Sequence, residues 1–292
     1  MPEPGRRTLA LALALTPGIG GKTVSRTLAR MDLLGTSIRE FLGCGELALK
    51  EEFRFTAGQA IRWMSLKTEQ LSAASELEKE LDARGILMLT AADAGYPTML
   101  EEFSSDPPGV LFLAGNHRLL GAATFTVLSS RSSSPNALEM IESLVSEAVL
   151  NGEILVTGHD TPEYQRAAVV PLRWGAPRIL CFDQGFYGAL GEDLRQEPFR
   201  TARLWRYEFD LRTDLAISTV PPSKGYIKGA NAKRDQLIAA LSKRLDFIAI
   251  NPGGNMEKLA RTALKAGRPV RISDAHLGAR EWTRYGAKML EL

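Results

Sequence analysis

A doubly wound α/β fold with a mostly parallel sheet, preceded by a small all-α module, is predicted by three observations. Helical patterning fills the first 85 residues. From Thr124 onward short apolar runs alternate with amphipathic stretches. The segment 124–158 has the length of one strand-helix-strand unit.

In the first module, apolar spacing predicts helices over Leu9–Leu15, Lys22–Met31, Ser37–Phe41, Ala57–Met64 and Thr68–Arg84, the last stopped by Gly85. Between the first two lies LTPGIGGKT, residues 15–23. Its proline and glycines make the tight turn of a helix-hairpin-helix (SAM-like) unit, whose outward amides, with Lys22, could hold a phosphate. A plain glycine-rich helix connection is the alternative.

After Gly85 the pattern changes to strands at ILMLT and Val110–Leu113, punctuated by Tyr96-Pro97 and Asp106-Pro107-Pro108. Further strands are predicted at Thr124–Leu128, Ile154–Thr157, Arg178–Phe182, Leu215–Thr219, Phe247–Ile250 and Val270–Ile272. Helices are predicted near 136–150, 162–174, 232–243, 255–266 and 278–289. Two domains follow, 1–85 and 86–292. Right-handed crossover puts the loop after Leu128, together with those at 157–160 and 251–255, on the carboxyl edge of the sheet, where such folds bind ligands.

Charge supports a local rather than a global anion site. Lys and Arg total 36 against 34 acids, so the chain as a whole is not a polycation. The sign is uneven: residues 1–120 hold 13 basic and 15 acidic side chains, and 121–292 hold 23 and 19. Lys224, Lys228, Lys233, Arg234, Lys243 and Arg244 face only Asp235 in their segment. Cations at a helix start oppose the helix dipole, so this cluster is better explained by an anionic partner, with Tyr226 offering a face on which a base stacks. A solvated basic loop is the plainer reading.

The loop SSRSSSP, residues 129–135, joins a strand to a helix. Its Ser130 and Arg131, with Thr157-Gly158 and Gly253-Gly254 from the neighbouring loops, are the candidate phosphate ligands. Amides at a helix start and a forked guanidinium suit phosphate oxygens. Alternatively Arg131 pairs with an acid such as Asp160 and ties two loops together. The three histidines, His117, His159 and His276, have no nucleophile motif beside them, so no catalytic set and no metal site is expected. Two distant cysteines, Cys44 and Cys181, fit a reducing cytoplasm, and neither a signal peptide nor a membrane span is read.

GYPTMLEEFSSDPPGVLFLAG, residues 95–115, resembles the Tyr-Pro…Leu…Asp-x-Pro-x-Leu-Phe…Gly segment of the DNA-processing protein A family, DprA or Smf. SSR at 129–131 is similar to that family's Gly-Ser-Arg loop, TGHDTPEYQRAA at 157–168 to its Ser-Gly-x-Ala-x-Gly-Ile-Asp-x-x-Ala-His, and KRDQLIAALS at 233–242 to its Arg-Asn-Arg-Ile-Ile-Ala-Gly-Leu-Ser. NPGGNMEKLARTALKAGRPV resembles its closing loop, helix and strand. The resemblance covers nearly the whole chain and marks a divergent member. The family's first loop glycine is absent, Tyr164 and Ala168 stand where it has Asp and His, and Asp235 and Gln236 where it has Asn and Arg.

The resemblance implies a Rossmann-like domain without the appended winged helix. It implies a non-catalytic, cofactor-free protein that binds single-stranded DNA in transformation or recombination and delivers it to a RecA-like recombinase, as a homodimer off the membrane. Arg131, Lys228, Lys233 and Arg234 would carry the strand's phosphates. A nucleotide-binding sensor, or a phosphoribohydrolase of the same superfamily, is the alternative. NPGGN partly matches that enzyme's Pro-Gly-Gly-x-Gly-Thr-x-x-Glu loop, but Glu257 falls too early in it.

Overall fold

The computed structural model describes residues 4–91, 93–131, 133–274 and 278–290. His276 lies outside them. The chain divides into two compact units: residues 1–101 with 105–112, and 102–104 with 113–292.

In the first unit, helices α1 (Arg6–Leu15), α2 (Gly21–Leu34), α3 (Ile38–Gly43), α4 (Glu46–Glu51) and α5 (Ala57–Ala83) precede strand β1 (Leu87–Thr90) and helix α6 (Met99–Phe103). Helix α1 buries Leu9, Leu11 and Leu13. An aromatic group of Phe41, Phe53 and Trp63 fills the space among α3, α4 and α5, with Phe41 and Phe53 edge to face at 4.8 Å. Capping boxes start α3 (Ser37 with Glu40) and α5 (Thr56 with Gln59). The two helices expected over 57–84 are one, because the linking Ser65-Leu66-Lys67 contains no breaker and Lys67 Nζ is anchored on the Leu42 carbonyl at 2.7 Å.

The helix-hairpin-helix turn does not present itself to a phosphate. The Lys22 amide donates to Asp106 at 3.0 Å, so a carboxylate of this chain already occupies the anion position at the start of α2. Gly21 lies so close to the 107–109 backbone that a Cβ there would stand 1.9 Å from the Pro107 carbonyl. Tyr96 donates its hydroxyl to the Pro108 carbonyl at 2.5 Å. The Tyr-Pro and Asp-Pro-Pro motifs are therefore the clamp that holds this turn.

The second unit is built on strands β2 (Val110–Gly115, in which the unit boundary falls), β3 (Thr124–Leu128), β4 (Ile154–Thr157), β5 (Arg178–Phe182), β6 (Leu215–Ser218), β7 (Arg244–Phe247), β8 (Val270–Ser273) and β9 (Lys288–Leu290). Their helices are α7 (Pro135–Leu150), α8 (Pro162–Ala168), α9 (Val170–Arg173), α10 (Phe186–Leu190), α11 (Arg200–Leu204), α12 (Ala230–Leu241), α13 (Asn255–Lys265) and α14 (Ala279–Thr283). Within this unit the strands run in the order β6-β5-β4-β3-β7-β8-β9. The pairings from β6 across to β9 are parallel. The doubly wound, mostly parallel expectation is met.

Phe125, Val127, Ile141, Val145, Leu155 and Val170 make the core beneath α7. Its helix is started by Ser134, whose hydroxyl accepts from the Ala137 amide, with Pro135 in the first turn.

Two elements differ from expectation. Strand β7 begins three residues earlier than its apolar run, because the charged residues Arg244 and Asp246 are part of the ladder. Asp246 is fully buried and accepts from both Arg271 nitrogens at 2.6 Å, so a cross-strand ion pair replaces the apolar signature. The expected final helix over 278–289 stops at Thr283, and Lys288–Leu290 adds a ninth strand beside β8. Among the described residues no helix is long and apolar enough to cross a membrane.

Candidate nucleic-acid interface

Strand order places a topological switch at β3. The chain runs from β3 through β4 and β5 to β6 on one side, then crosses back to place β7 and β8 on the other. The loops that follow β3 and β7 diverge from this point, and between their carboxyl ends a crevice is left open.

The crevice is stitched at its base. The Ser130 amide donates to the Ala249 carbonyl at 2.9 Å, and the Ser130 hydroxyl accepts from the Asn251 amide at 2.8 Å. Ser133 donates its amide to Glu163 at 3.1 Å; burial opposes the ionised form of Glu163, but this bond and others outweigh it and hold its pKa below the ordinary value. Ser130 is therefore a loop-to-loop tie as well as part of the lining of the cleft.

Above that base opens a cleft of about 790 Å³. Arg131 stands in its wall, exposed and without an ion-pair partner among the described residues. Asn251, Arg261, Trp282 and Tyr285 also line it. The Arg261 guanidinium lies 5.1 Å from the centres of both the Trp282 and Tyr285 rings, so a cation and two aromatic faces meet in one place.

The glycine pair behaves differently from expectation. The Gly253 amide donates to Glu257 at 2.6 Å, and that carboxylate also accepts from Arg261 at 2.9 Å. These two bonds hold the Glu257 pKa below the ordinary carboxylate value. The Gly254 amide closes a turn on the Asn251 carbonyl at 3.0 Å. Both amides expected to receive phosphate are satisfied within the chain, and Gly253 is required for its left-handed φ of 71°.

Gly158 backs a buried polar cluster, and Thr157 is fully buried with a hydroxyl that has no hydrogen-bond partner among the described residues. A Cβ on Gly158 would stand 2.7 Å from the Tyr164 ring, so glycine is what lets Tyr164 pack there. The Tyr164 hydroxyl donates to Asp235 at 2.8 Å, and Asn255 donates to the other oxygen of Asp235 at 2.8 Å. Burial and the neighbouring Asp235 push the Tyr164 pKa well above its ordinary value, so it remains a donor.

Arg234 lies at the centre of this cluster, its side chain 1% exposed. It pairs with Asp235 at 2.8 Å, with Asp183 at 3.5 Å and with Asp160 through Nη1, and its guanidinium sits 4.9 Å over the Tyr164 ring. Burial works against its charge, but Asp235, Tyr164 and Asp160 together outweigh burial and raise its pKa. Arg234 is thus a buried keystone and not a surface cation, and the possible partner of Arg131, Asp160, is taken by it. Tyr164 and Asp235, read separately as departures from a family pattern, bond to each other.

His159 borders the cluster with its ring 4.8 Å from that of Phe182. Burial lowers its pKa, Asp183 and Asp160 oppose the shift, and Arg234 adds to it. The folded protein therefore favours the neutral ring, while the unfolded chain takes up a proton as pH falls through about 6.5. The resulting stabilisation is present above that pH and is lost as pH falls below it. Urea titrations between pH 7.5 and 5 are expected to show stability declining toward acid, and His159→Gln to flatten that decline; equal slopes in the two proteins would refute the assignment.

Lys224, Tyr226, Lys228 and Lys233 are exposed on the segment that follows β6, on the same carboxyl edge as Arg131. Tyr226 is 56% exposed. The segment is anchored from below, since the Gly185 amide donates to the Lys224 carbonyl at 2.8 Å and the Tyr187 amide to that of Pro222 at 3.1 Å. Of the nine expected ligands, Arg131, Lys228 and Lys233 face solvent with no ion-pair partner among the described residues. Sequence reasoning missed Arg261, Trp282 and Tyr285, whose spacing across a loop carries no motif.

Comparison with known proteins bears out the family resemblance over part of the chain. The model of the family described as DNA recombination-mediator protein A matches residues 87–161, about a quarter of the chain, which includes the Arg131 loop. No curated protein sequence matches. Among solved structures, DNA processing protein A (DprA) from Streptococcus pneumoniae is 18% identical with a TM-score of 0.69, over 97% of this chain and 92% of that one. DNA processing protein A from Helicobacter pylori, described for its unique single-stranded DNA binding mode, is 19% identical with a TM-score of 0.52, over 70% of this chain and 90% of that one. At these identities the likeness establishes the fold.

Proposed function

We propose that this chain is a non-catalytic single-stranded DNA-binding protein that holds the strand along the carboxyl edge of its sheet. The observation that carries the reading is Arg131, a cation without an ion-pair partner among the described residues, in a cleft at the topological switch, on the same edge as the exposed Lys224–Lys233 segment. Neutralising a phosphate with such a side chain releases a counterion and gains affinity without reading sequence. Tyr226 beside Lys228, and the exposed Tyr285 beside Arg261, add faces on which bases stack. The match of residues 87–161 to a recombination-mediator family, and a relative described as binding single-stranded DNA, support the same class of partner. By that resemblance the bound strand is delivered to a RecA-like recombinase in recombination or transformation, and the working form is a dimer in the cytoplasm.

A salt series tests this reading. Fluorescence anisotropy with a mixed-sequence single strand is expected to show affinity falling linearly on a log–log plot against salt, with a slope of about −0.7 for each phosphate contacted. No binding at low salt sinks the reading. A second reading, a mononucleotide sensor, is favoured by the cleft's volume of about 790 Å³, which suits a nucleotide, and by its aromatic pair. Competition by free mononucleotides in the same titration separates the two. As a phosphoribohydrolase the site is poorly equipped, because Glu257 is tied to the Gly253 amide and to Arg261.

A further inference from the structure

Beyond Tyr187 the stretch between β5 and β6 has no part in that reading, yet it is firmly anchored. It returns the chain from the carboxyl edge to the amino edge of the sheet, where β6 begins. One buried side chain pins the middle of the return and its end. Arg178, the first residue of β5 and fully buried, pairs with Glu197 at 2.5 Å and with Asp214 at 3.0 Å, and donates to the Ala168 carbonyl at 2.8 Å. Phe199, Ala202 and Phe209 turn inward from the segment, and the Arg178 guanidinium lies 5.6 Å from the Phe199 ring.

The outward half is of opposite character to that anchor. Leu204 and Trp205 are each 77% exposed, and Tyr207 is 39% exposed. Arg200 and Arg206 are exposed and have no ion-pair partner among the described residues. Helix α11 ends at Leu204, and Arg206 holds a left-handed φ of 62°, which turns the chain sharply between Trp205 and Tyr207. Trp174, 54% exposed, lies in the turn entering the adjacent strand β5, on the same amino edge. A rigid base thus displays large aromatic side chains beside unpaired guanidinium groups, at the edge opposite the Arg131 cleft.

Apolar display of this size marks a contact surface. Tryptophan, tyrosine and arginine serve both protein partners and nucleic acids, so it is their arrangement that distinguishes the two. Unpaired guanidinium groups alternating with aromatic faces match the alternation of phosphate and base along a single strand. We propose that this amino-edge strip is a second single-stranded nucleic-acid contact, with Trp205 the stacking platform and Arg200 and Arg206 the phosphate ligands. The inference rests on the strand-binding reading above and extends it: a long strand engages both edges, whereas a short one is held by the cleft alone.

The test compares strands of about 8 and about 40 nucleotides, one the size of a typical site on a single module and one much longer. On the long strand, Trp205→Ala is expected to weaken binding by about 5- to 100-fold, and Arg200→Ala/Arg206→Ala to reduce the salt slope by about 1.4. Neither variant is expected to change binding of the short strand, and the additional tryptophan quenching that the long strand gives over the short one in the parent protein is expected to be lost in Trp205→Ala. Binding of the long strand unchanged in both variants, alongside weaker binding in Arg131→Ala, overturns the strip while leaving the cleft standing. Loss of self-association in Trp205→Ala, or displacement of the strip's fluorescence by polyglutamate but not by the strand, overturns it in favour of a protein partner. Failure of the parent protein to bind either strand at low salt brings down both readings.

Discussion

Arg234→Met is expected to destabilise the protein by about 3–5 kcal/mol, because it removes the one cation among three carboxylates while leaving them in place. For a unit of this size that corresponds to a fall in Tm on the order of 10 °C, measurable by calorimetry. Arg234→Lys is expected to recover only part of the loss, since an ammonium cannot serve Asp235, Asp183 and Asp160 from one planar fork. Tyr164→Phe removes a single buried donor to Asp235 and is expected to cost about 1–3 kcal/mol. The informative contrast is with function. A buried keystone predicts that Arg234→Lys, once folded, binds single strands as the parent does. A variant of unchanged stability that has lost binding would return Arg234 to the role of a phosphate ligand.

Arg234 also marks how far the sequence could be read. The strand-helix alternation from Thr124, and the parallel sheet it implies, were legible because strands buried on both faces leave continuous apolar runs. The edge was not: β7 carries its charges inside the ladder, where Asp246 and Arg271 neutralise each other, and β9 is too short to leave a period. At the site, a one-letter basic cluster could not distinguish Lys233, which points to solvent, from Arg234 beside it, which points into the protein. Adjacent residues at a helix start face different directions, and the position of Asp160 and Asp183 on two other loops, with Asp235 next to Arg234 in the same helix, decides which one is buried. The Gly253 amide gives the same lesson. Its glycine is required by the turn, and its hydrogen bond goes to Glu257, four residues onward, so a glycine-rich loop was readable while its occupant was not.

Arg131→Ala combined with Lys228→Ala and Lys233→Ala is expected to have the largest effect on binding with the least effect on folding. All three side chains are exposed and none is engaged in an ion pair among the described residues, so their removal leaves no buried charge unpaired. If each contacts one phosphate of a single strand, the salt slope should fall by about 2, three contacts at about 0.7 each. Arg131→Ala alone is expected to cost roughly tenfold at low salt, the value of a charge-assisted hydrogen bond, because the forked guanidinium at the switch point can grip a phosphate through two nitrogens. Lys228→Ala or Lys233→Ala singly should do less, as each is a point charge on a flexible stem. The order of these effects matters more than their size. A strand held in the crevice requires Arg131 to dominate, whereas a strand attracted only by diffuse charge would lose equal affinity for every cation removed. Equal losses for all three single variants would therefore move the interface out of the cleft and onto the basic segment alone, and the aromatic pair at Trp282 and Tyr285 would need another ligand.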